Sequence, residues 1–165
     1  MNAAILTNEF PPEIYGGAGI HVKFLSQELS KLCHIEARCF GPQNDDANNI
    51  RAIGFSQKLD SNPADERFKK ILKPLDINLQ WMSSLKDIDV IHCHTWYSHF
   101  GGVVASRLLQ CPLILTTHSL EPHRPWKAEQ LGDGSAASSL SAGAADELDP
   151  VFAAVAATDM PSPVS

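Results

Sequence analysis

Four short apolar runs, separated by segments with helical spacing, constrain the fold of this chain more than any other feature. Three of them, Ala3–Leu6, Val90–Cys93 and Leu113–Thr117, are nearly continuous, and Ile35–Phe40 is a probable further strand that alternates less cleanly. Short and nearly continuous apolar runs predict strands of a parallel sheet that is covered on both faces. Helical patterns lie between the runs, at about residues 19–32, 64–85 and 100–109. This alternation predicts an α/β fold with a Rossmann-like, doubly wound parallel sheet.

Three segments are expected to depart from regular structure. Pro74 falls inside the second helical pattern and is expected to break it. Residues 41–63 are rich in Asn, Asp, Gln, Gly and Pro, which predicts mostly surface loop. Residues 133–165 contain many Ala and Ser and few large apolar residues, which predicts a poorly ordered or only locally helical tail. We therefore expect one domain at residues 1–132 and a low-complexity segment at residues 133–165.

The overall composition excludes several classes of partner. The chain has 165 residues, a net charge of −6 and a pI near 5.6, and it carries no basic stripe for nucleic acid or for an anionic membrane. No apolar run approaches the roughly 20 residues that a membrane-spanning helix needs. The N-terminal apolar run is interrupted early by Asn8 and Glu9, so a secretory signal is not predicted. A cytoplasmic location is therefore expected.

The cysteines are expected to be buried, reduced thiols. They are Cys33, Cys39, Cys93 and Cys111, and none forms a Cys-x-x-Cys pair. A zinc site formed by Cys93 with its neighbours His92 and His94 is disfavoured, because adjacent residues of a strand point to opposite faces. The sequence therefore predicts no metal site.

The first strand is followed by a glycine-rich loop, LTNEFPPEIYGGAGIHVKFL, which leads into a helix. Gly16 and Gly17 allow the backbone to approach a ligand closely, and amides at a helix N-terminus can face phosphate or sugar oxygens. The alternative is a plain tight turn that caps the helix. The loop is not a GxGxxG motif and no acidic residue clearly ends the second strand, which disfavours a dinucleotide oxidoreductase.

Two further segments are expected to share a crevice with this loop, because ligands of doubly wound sheets bind at the carboxyl ends of the strands. His92 and His94 share one face of the third run, and Trp96 follows them as a candidate for stacking on a sugar ring. The fourth run delivers His118 to its end. A dense mixture of charged residues and prolines comes next, which suits a polyhydroxyl or phosphorylated ligand; its candidate contacts are Glu121, Arg124 and Lys127.

Three motifs together, LTNEFPPEIYGGAGIHV, DVIHCHTWYSHFGG and TTHSLEPHRPWKAEQLG, resemble the N-terminal half of retaining glycosyltransferases of the glycogen synthase type. The likeness covers residues 1–132 and is greatest to the bacterial branch that uses ADP-glucose to make α-glucan or maltose 1-phosphate. It implies a GT-B architecture, in which two Rossmann-like domains face each other across a cleft. It also implies a nucleotide sugar and a glucan or sugar-phosphate acceptor as substrates, with no further cofactor.

The resemblance assigns roles to individual residues. It implies that Gly16 and Gly17 approach the phosphates and sugar of the donor, and that His118 contacts the transferred sugar as the catalytic candidate. Glu9 matches the acidic residue of the first loop, and His94 and Trp96 match the motif that lines the acceptor side. Arg124 and Lys127 match the basic residues of the Arg-Pro-Trp-Lys segment, for which we hypothesise contact with a phosphate or glucan acceptor.

The departures from the family pattern leave alternatives open. Tyr15 stands where glycogen synthases often have Lys, which favours the maltose 1-phosphate branch. After residue 132 the expected aromatic residues are missing, so a truncated or frame-shifted chain that is inactive alone is expected. The alternative function is a non-catalytic module that binds a glucan or a sugar phosphate. A sugar-nucleotide epimerase is disfavoured because its Tyr-x-x-x-Lys motif is missing.

Overall fold

A computed structural model describes residues 1–59 and 69–118 of the chain, which form a sheet with helices on both faces. The strands are β1 (Asn2–Leu6), β2 (His34–Phe40), β3 (Asn44–Ala47), β4 (Ile50–Phe55), β5 (Val90–His94) and β6 (Leu113–Thr116). The helices are α1 (Gly17–Leu29), α2 (Lys69–Ser84) and α3 (Trp96–Leu109). The six strands are ordered β3-β4-β2-β1-β5-β6, and only the β3–β4 pairing is antiparallel. This confirms the predicted fold class and the four predicted strands.

The two faces of the sheet carry separate apolar clusters, because successive side chains of a strand point in opposite directions. On the face of α1, Ile5, Val22 and Ile35 are fully buried. On the face of α2 and α3, Leu6, Trp81, Ile91 and their neighbours form a second cluster. His92 and His94 therefore lie on the α1 face of β5, whereas Cys93 points to the opposite face.

The prediction that residues 41–63 are mostly loop is wrong for the part that the structure describes. Residues 44–55 form the β3–β4 hairpin, and β4 continues the sheet in parallel beside β2. Asn48 and Asn49, with φ of 52° and 64°, form the two-residue turn, since asparagine tolerates the left-handed conformation that such hairpins need. The Asn49 amide also donates to the carbonyls of Ser30 and Cys33, at 2.9 and 2.8 Å, which ties the turn to the end of α1.

The predicted break at Pro74 is also wrong, since α2 runs through this residue. Proline inside a helix removes one hydrogen bond, and its ring crowds the carbonyl one turn earlier. The buried side of α2 offsets this cost, since Pro74, Ile77, Asn78, Trp81 and Leu85 recur at helical spacing against the second cluster.

Asn78 is 1% exposed and makes three side-chain hydrogen bonds, of which one stays within α2 and two reach α3. Its side-chain amide donates to the carbonyls of Pro74 and Tyr97, at 2.6 and 2.7 Å. Its side-chain oxygen accepts the backbone N–H of Gly101 at 2.6 Å. This buried amide therefore links α2 to the first turns of α3, which follows the carboxyl end of β5.

Asn78→Leu is expected to lower the free energy of unfolding by about 2 kcal/mol, because it removes a buried side-chain amide and its three hydrogen bonds. Urea unfolding followed by circular dichroism measures the change. Ser83→Ala, on the exposed side of the same helix, is the matched control and should change stability by less than about 0.5 kcal/mol. Equal effects of the two substitutions would contradict the bridging role of Asn78.

The four cysteines are free thiols, as predicted, and only Cys111 is partly exposed. Burial raises the pKa of the Cys39 and Cys93 thiols to about 12, which keeps both protonated. Within the described residues, no helix is both long and apolar enough to cross a membrane. The predicted boundary at residue 132 and the tail at residues 133–165 lie outside the described part of the chain.

Candidate functional site

The segments that follow β1, β5 and β6 meet at the carboxyl edge of the sheet. The backbone N–H of Thr95 donates to the carbonyl of Thr116 at 3.1 Å. The hydroxyl of Thr95 donates to the side-chain oxygen of Asn8 at 3.2 Å. These bonds place the start of the glycine-rich loop, the His94–Trp96 segment and His118 beside one another.

Four histidine rings form the centre of this edge. Nδ1 of His94 and Nε2 of His118 share a hydrogen bond of 3.1 Å, and the two rings are stacked. The ring centroids of His92 and His94 are 4.1 Å apart. His21 of α1 completes the histidine cluster, with its ring centroid 5.6 Å from that of His94 and 5.2 Å from that of His118.

The proton on His94 can be assigned from its surroundings. His94 is fully buried, and its Nε2 has no hydrogen-bond partner among the described residues. Buried N–H groups are rarely left unpaired, whereas unpaired acceptors are better tolerated. We therefore place the proton on Nδ1, from which His94 donates to Nε2 of His118 and leaves His118 with its own proton on Nδ1.

Three rings of the histidine cluster are neutral at physiological pH. Burial and, to a smaller extent, repulsion by His92 and His118 lower the pKa of His94 to about 3. Burial and nearby His21 and His118 also lower the pKa of His92. For His118, burial and His21 lower the pKa, while Glu9 opposes the change. Neutral imidazoles both donate and accept hydrogen bonds, which suits hydroxyl groups more than the charge of a phosphate.

Sequence reasoning missed His21, although its position carried a signal. His21 lies one helical turn after Gly17, so its side chain returns to the edge that the glycine-rich loop borders. Any polar residue in the first two turns of the helix after such a loop is a candidate for the same edge.

The glycine-rich loop is closed by Glu9. One carboxylate oxygen of Glu9 accepts the backbone N–H groups of Tyr15 and Gly16, both at 2.9 Å. Gly16 is the N-cap of α1 and has an extended backbone, with φ of −149°. Its N–H group is therefore engaged within the protein. Gly17 begins the helix and borders open space, since a Cβ added there would meet nothing within 4 Å.

Trp96 begins α3 beside this edge. Its side chain is 53% exposed, and its ring is stacked on that of Tyr97 at a centroid distance of 4.0 Å. Thr95 before it has φ of 69°, which is unusual for a β-branched residue and costs about 1–3 kcal/mol. Such strain is common beside binding sites. The role of Trp96 as a sugar platform stays a prediction.

The remaining candidates cannot be placed at this edge. Glu121, Arg124 and Lys127 lie outside the described residues. Among residues 1–59 and 69–118, no group of three or more His, Cys, Asp or Glu side chains is arranged to hold a metal ion. The described part of the site therefore offers free amides at a helix N-terminus, neutral imidazoles, one carboxylate and one exposed indole ring.

Comparison with known proteins gives this site a family context. Residues 15–155 match the family described as Glycosyltransferase Family 4. The chain is 41% identical over 139 residues to the alpha-maltose-1-phosphate synthase of Mycolicibacterium smegmatis, which covers 84% of this chain and 34% of that protein. It is 40% identical over 134 residues to the protein of the same name from Mycobacterium tuberculosis, which covers 81% of this chain and 32% of that protein.

A more distant relative is the glycogen synthase of Mycobacterium tuberculosis, which is 25% identical over 149 residues, with coverage of 75% of this chain and 35% of that protein. The chain thus spans about one third of the length of the curated relatives it matches. Among solved structures, CalG4, the calicheamicin glycosyltransferase, aligns with a TM-score of 0.50 and 15% identity, over 90% of this chain and 41% of that one. At that identity the likeness shows the fold alone, which is that of a GT-B glycosyltransferase.

Proposed function

Since this chain belongs to glycosyltransferase family 4, we propose that it carries the first half of the active site of a retaining glucosyltransferase. The proposed donor is ADP-glucose, and the proposed acceptor is an α-glucan or glucose 1-phosphate. The observation that carries the proposal is the meeting of His118, His94 and the glycine-rich loop at one edge of the sheet, with His94 and His118 3.1 Å apart. The names of the two most similar relatives described above support the choice of a maltose 1-phosphate product over a longer glucan.

The chemistry of each group supports a division of roles. The first-turn amides of α1 have no acceptor within their helix and lie at its positive end, so they suit the phosphate oxygens of the donor. His118 is neutral and is held by His94, which suits a hydroxyl of the transferred glucose. Trp96 offers a face for an acceptor sugar. Retaining transfer needs stabilisation of the leaving diphosphate, and these amides would supply part of it.

Titration of the chain with nucleotide sugars tests the proposal. ADP-glucose should shift the amide signals of Gly17 and Ala18 and the ring signals of His118 in nuclear magnetic resonance spectra, and calorimetry should give a dissociation constant. UDP-glucose, maltose and glucose 1-phosphate are titrated in parallel. Glucan or sugar-phosphate binding without any response to a nucleotide sugar would favour the non-catalytic binding module, and no response to any of them would refute both functions.

His118→Gln is expected to weaken ADP-glucose binding about tenfold, because it removes one hydrogen bond to the ligand. His34→Gln is the matched control, since His34 lies at the opposite end of the sheet and bonds to Asn49. Turnover is measured as ADP release with maltose or glucose 1-phosphate, with and without a separately produced C-terminal half of a family member. Equal affinities of the two variants would contradict the role of His118.

A further inference from the structure

Glu9 connects the beginning of the glycine-rich loop to the residues that lead into α1. Its carboxylate accepts the N–H groups of Tyr15 and Gly16, six and seven residues later. Both bonds are 2.9 Å long and end on the same oxygen. A charged acceptor makes such bonds about twice as strong as those between neutral groups.

The side chain of Glu9 occupies the space that a side chain at position 19 would need. Gly19 is buried, and a Cβ added to it would lie 2.7 Å from the engaged carboxylate oxygen and 2.9 Å from the Cβ of Glu9. Any larger residue at position 19 would therefore displace Glu9. The backbone of Glu9 is fixed as well, because the hydroxyl of the fully buried Thr7 donates to its carbonyl at 3.1 Å and accepts its N–H at 3.3 Å.

This arrangement determines what the loop can offer a ligand. The N-cap Gly16 has no side chain with which to cap α1, and Glu9 supplies a carboxylate immediately before the helix instead. The N–H of Gly16 is thereby occupied, and the negative charge beside it disfavours a phosphate at that point. The first-turn amides that begin at Gly17 stay available, because helix geometry gives them no acceptor within the helix. A phosphate should therefore contact Gly17 and Ala18 rather than Gly16.

We propose that Glu9 is a positioning residue, which fixes the glycine-rich loop so that the first-turn amides of α1 face the donor and Gly16 does not. This inference rests on the proposed function, since the loop is the one assigned to the donor phosphates. It changes the role of Glu9 from a contact with substrate to a clamp on the loop that binds it. The space that Glu9 occupies also requires glycine at position 19, independently of the backbone conformation there.

The first test follows the loop in the full 165-residue chain, labelled with ¹⁵N, without any ligand. Hydrogen exchange at the Tyr15 and Gly16 amides should be slow to a similar degree, because both bond the same carboxylate oxygen. Glu9→Gln should accelerate exchange at both amides about tenfold, as expected for loss of a charge-assisted bond. Glu13→Gln, a carboxyl change in the same loop, is the matched control and should leave exchange at both amides as in the natural chain.

Gly19→Ala is the second variant, and it keeps the carboxylate but fills the space that it occupies. It should also accelerate exchange at both amides, which shows that displacing Glu9 has the same effect as removing its charge. Urea unfolding is measured in parallel, and the Tyr15 and Gly16 signals are compared only under conditions where each variant is folded. Unchanged exchange in Glu9→Gln, or slow exchange at only one of the two amides in the natural chain, would overturn the proposal.

Titration with ADP-glucose separates this proposal from the proposed function. The clamp predicts that Glu9→Gln binds ADP-glucose about fivefold more weakly than Glu13→Gln, because the loop must be ordered on binding. Equal affinities would overturn the positioning role while leaving the glucosyltransferase function intact. The clamp could instead be visible in the free chain while the Gly17 and Ala18 signals do not respond to ADP-glucose. That result would refute the proposed function.

Discussion

Gly102→Ala should lower the free energy of unfolding by about 3 kcal/mol, because α3 packs against β5 with no space for a side chain at this position. A Cβ at Gly102 would lie 2.0 Å from the sulfur of Cys93 and 3.3 Å from Cδ1 of Leu113. Cys93 is fully buried, so its sulfur has no solvent-filled space into which it could move. The backbone of α3 would have to shift away from the strand that carries His92 and His94.

Removing the sulfur of Cys93 should relieve the clash with a side chain at position 102. Cys93→Ala removes the sulfur and leaves its Cβ 3.6 Å from the added atom, an ordinary contact distance. The double variant should therefore be more stable than Gly102→Ala alone, with a coupling energy of about 1–3 kcal/mol. Urea unfolding of the natural chain, the two single variants and the double variant gives this energy directly.

Gly17→Ala is the control that shows whether the loss of stability in Gly102→Ala is steric. Gly17 begins α1 at a negative φ, and an added Cβ there would meet nothing within 4 Å. Gly17→Ala should therefore not lower stability, since alanine also reduces the freedom of the unfolded chain. If the effects of Gly102→Ala and Cys93→Ala simply add, the close approach of α3 to β5 is not what requires glycine at position 102.

The predicted parts of the fold are those that local periodicity determines. The apolar runs around Ile5, Ile35, Ile91 and Leu115 became strands because parallel strands are buried on both faces and need apolar residues throughout. The β3–β4 hairpin was missed because β3 is exposed along its length and has no such run. Its one local signal is Asn48-Asn49, where two residues that tolerate positive φ stand side by side.

The site was predictable only to the extent that sheet topology brings residues together. Parallel strands end at a common edge, so His94 and His118 were expected near each other, and they share a hydrogen bond. Topology does not determine where a flexible side chain bonds. The clamp by Glu9 and the contact of His21 with the histidine cluster depend on how α1 packs against the sheet, which no spacing in the sequence specifies. Packing on the other face, of α2 against the second apolar cluster, likewise explains why this helix continues through Pro74.

The stability of the described domain should fall steeply as pH drops from 7.5 to 5. Burial lowers the pKa of His94 to about 3 and that of His99 to about 4, whereas an unfolded chain protonates histidine near pH 6.5. Between these values the unfolded chain binds more protons than the folded one, so stability rises with pH and is lost as pH falls. At pH 5 each residue should cost about 2 kcal/mol relative to neutral pH, or about 4 kcal/mol together.

His94→Gln should reduce this pH dependence by about 2 kcal/mol, because glutamine does not titrate. The readout is the difference in the free energy of unfolding between pH 7.5 and pH 5 within each variant, so a general loss of stability does not disturb it. Ser26→Ala is the matched control, since it removes a buried hydrogen bond to the carbonyl of Val22 without changing any titrating group. It should lower stability by a similar amount at both pH values. A difference in His94→Gln as large as that of the natural chain would contradict the lowered pKa of His94 in the folded protein.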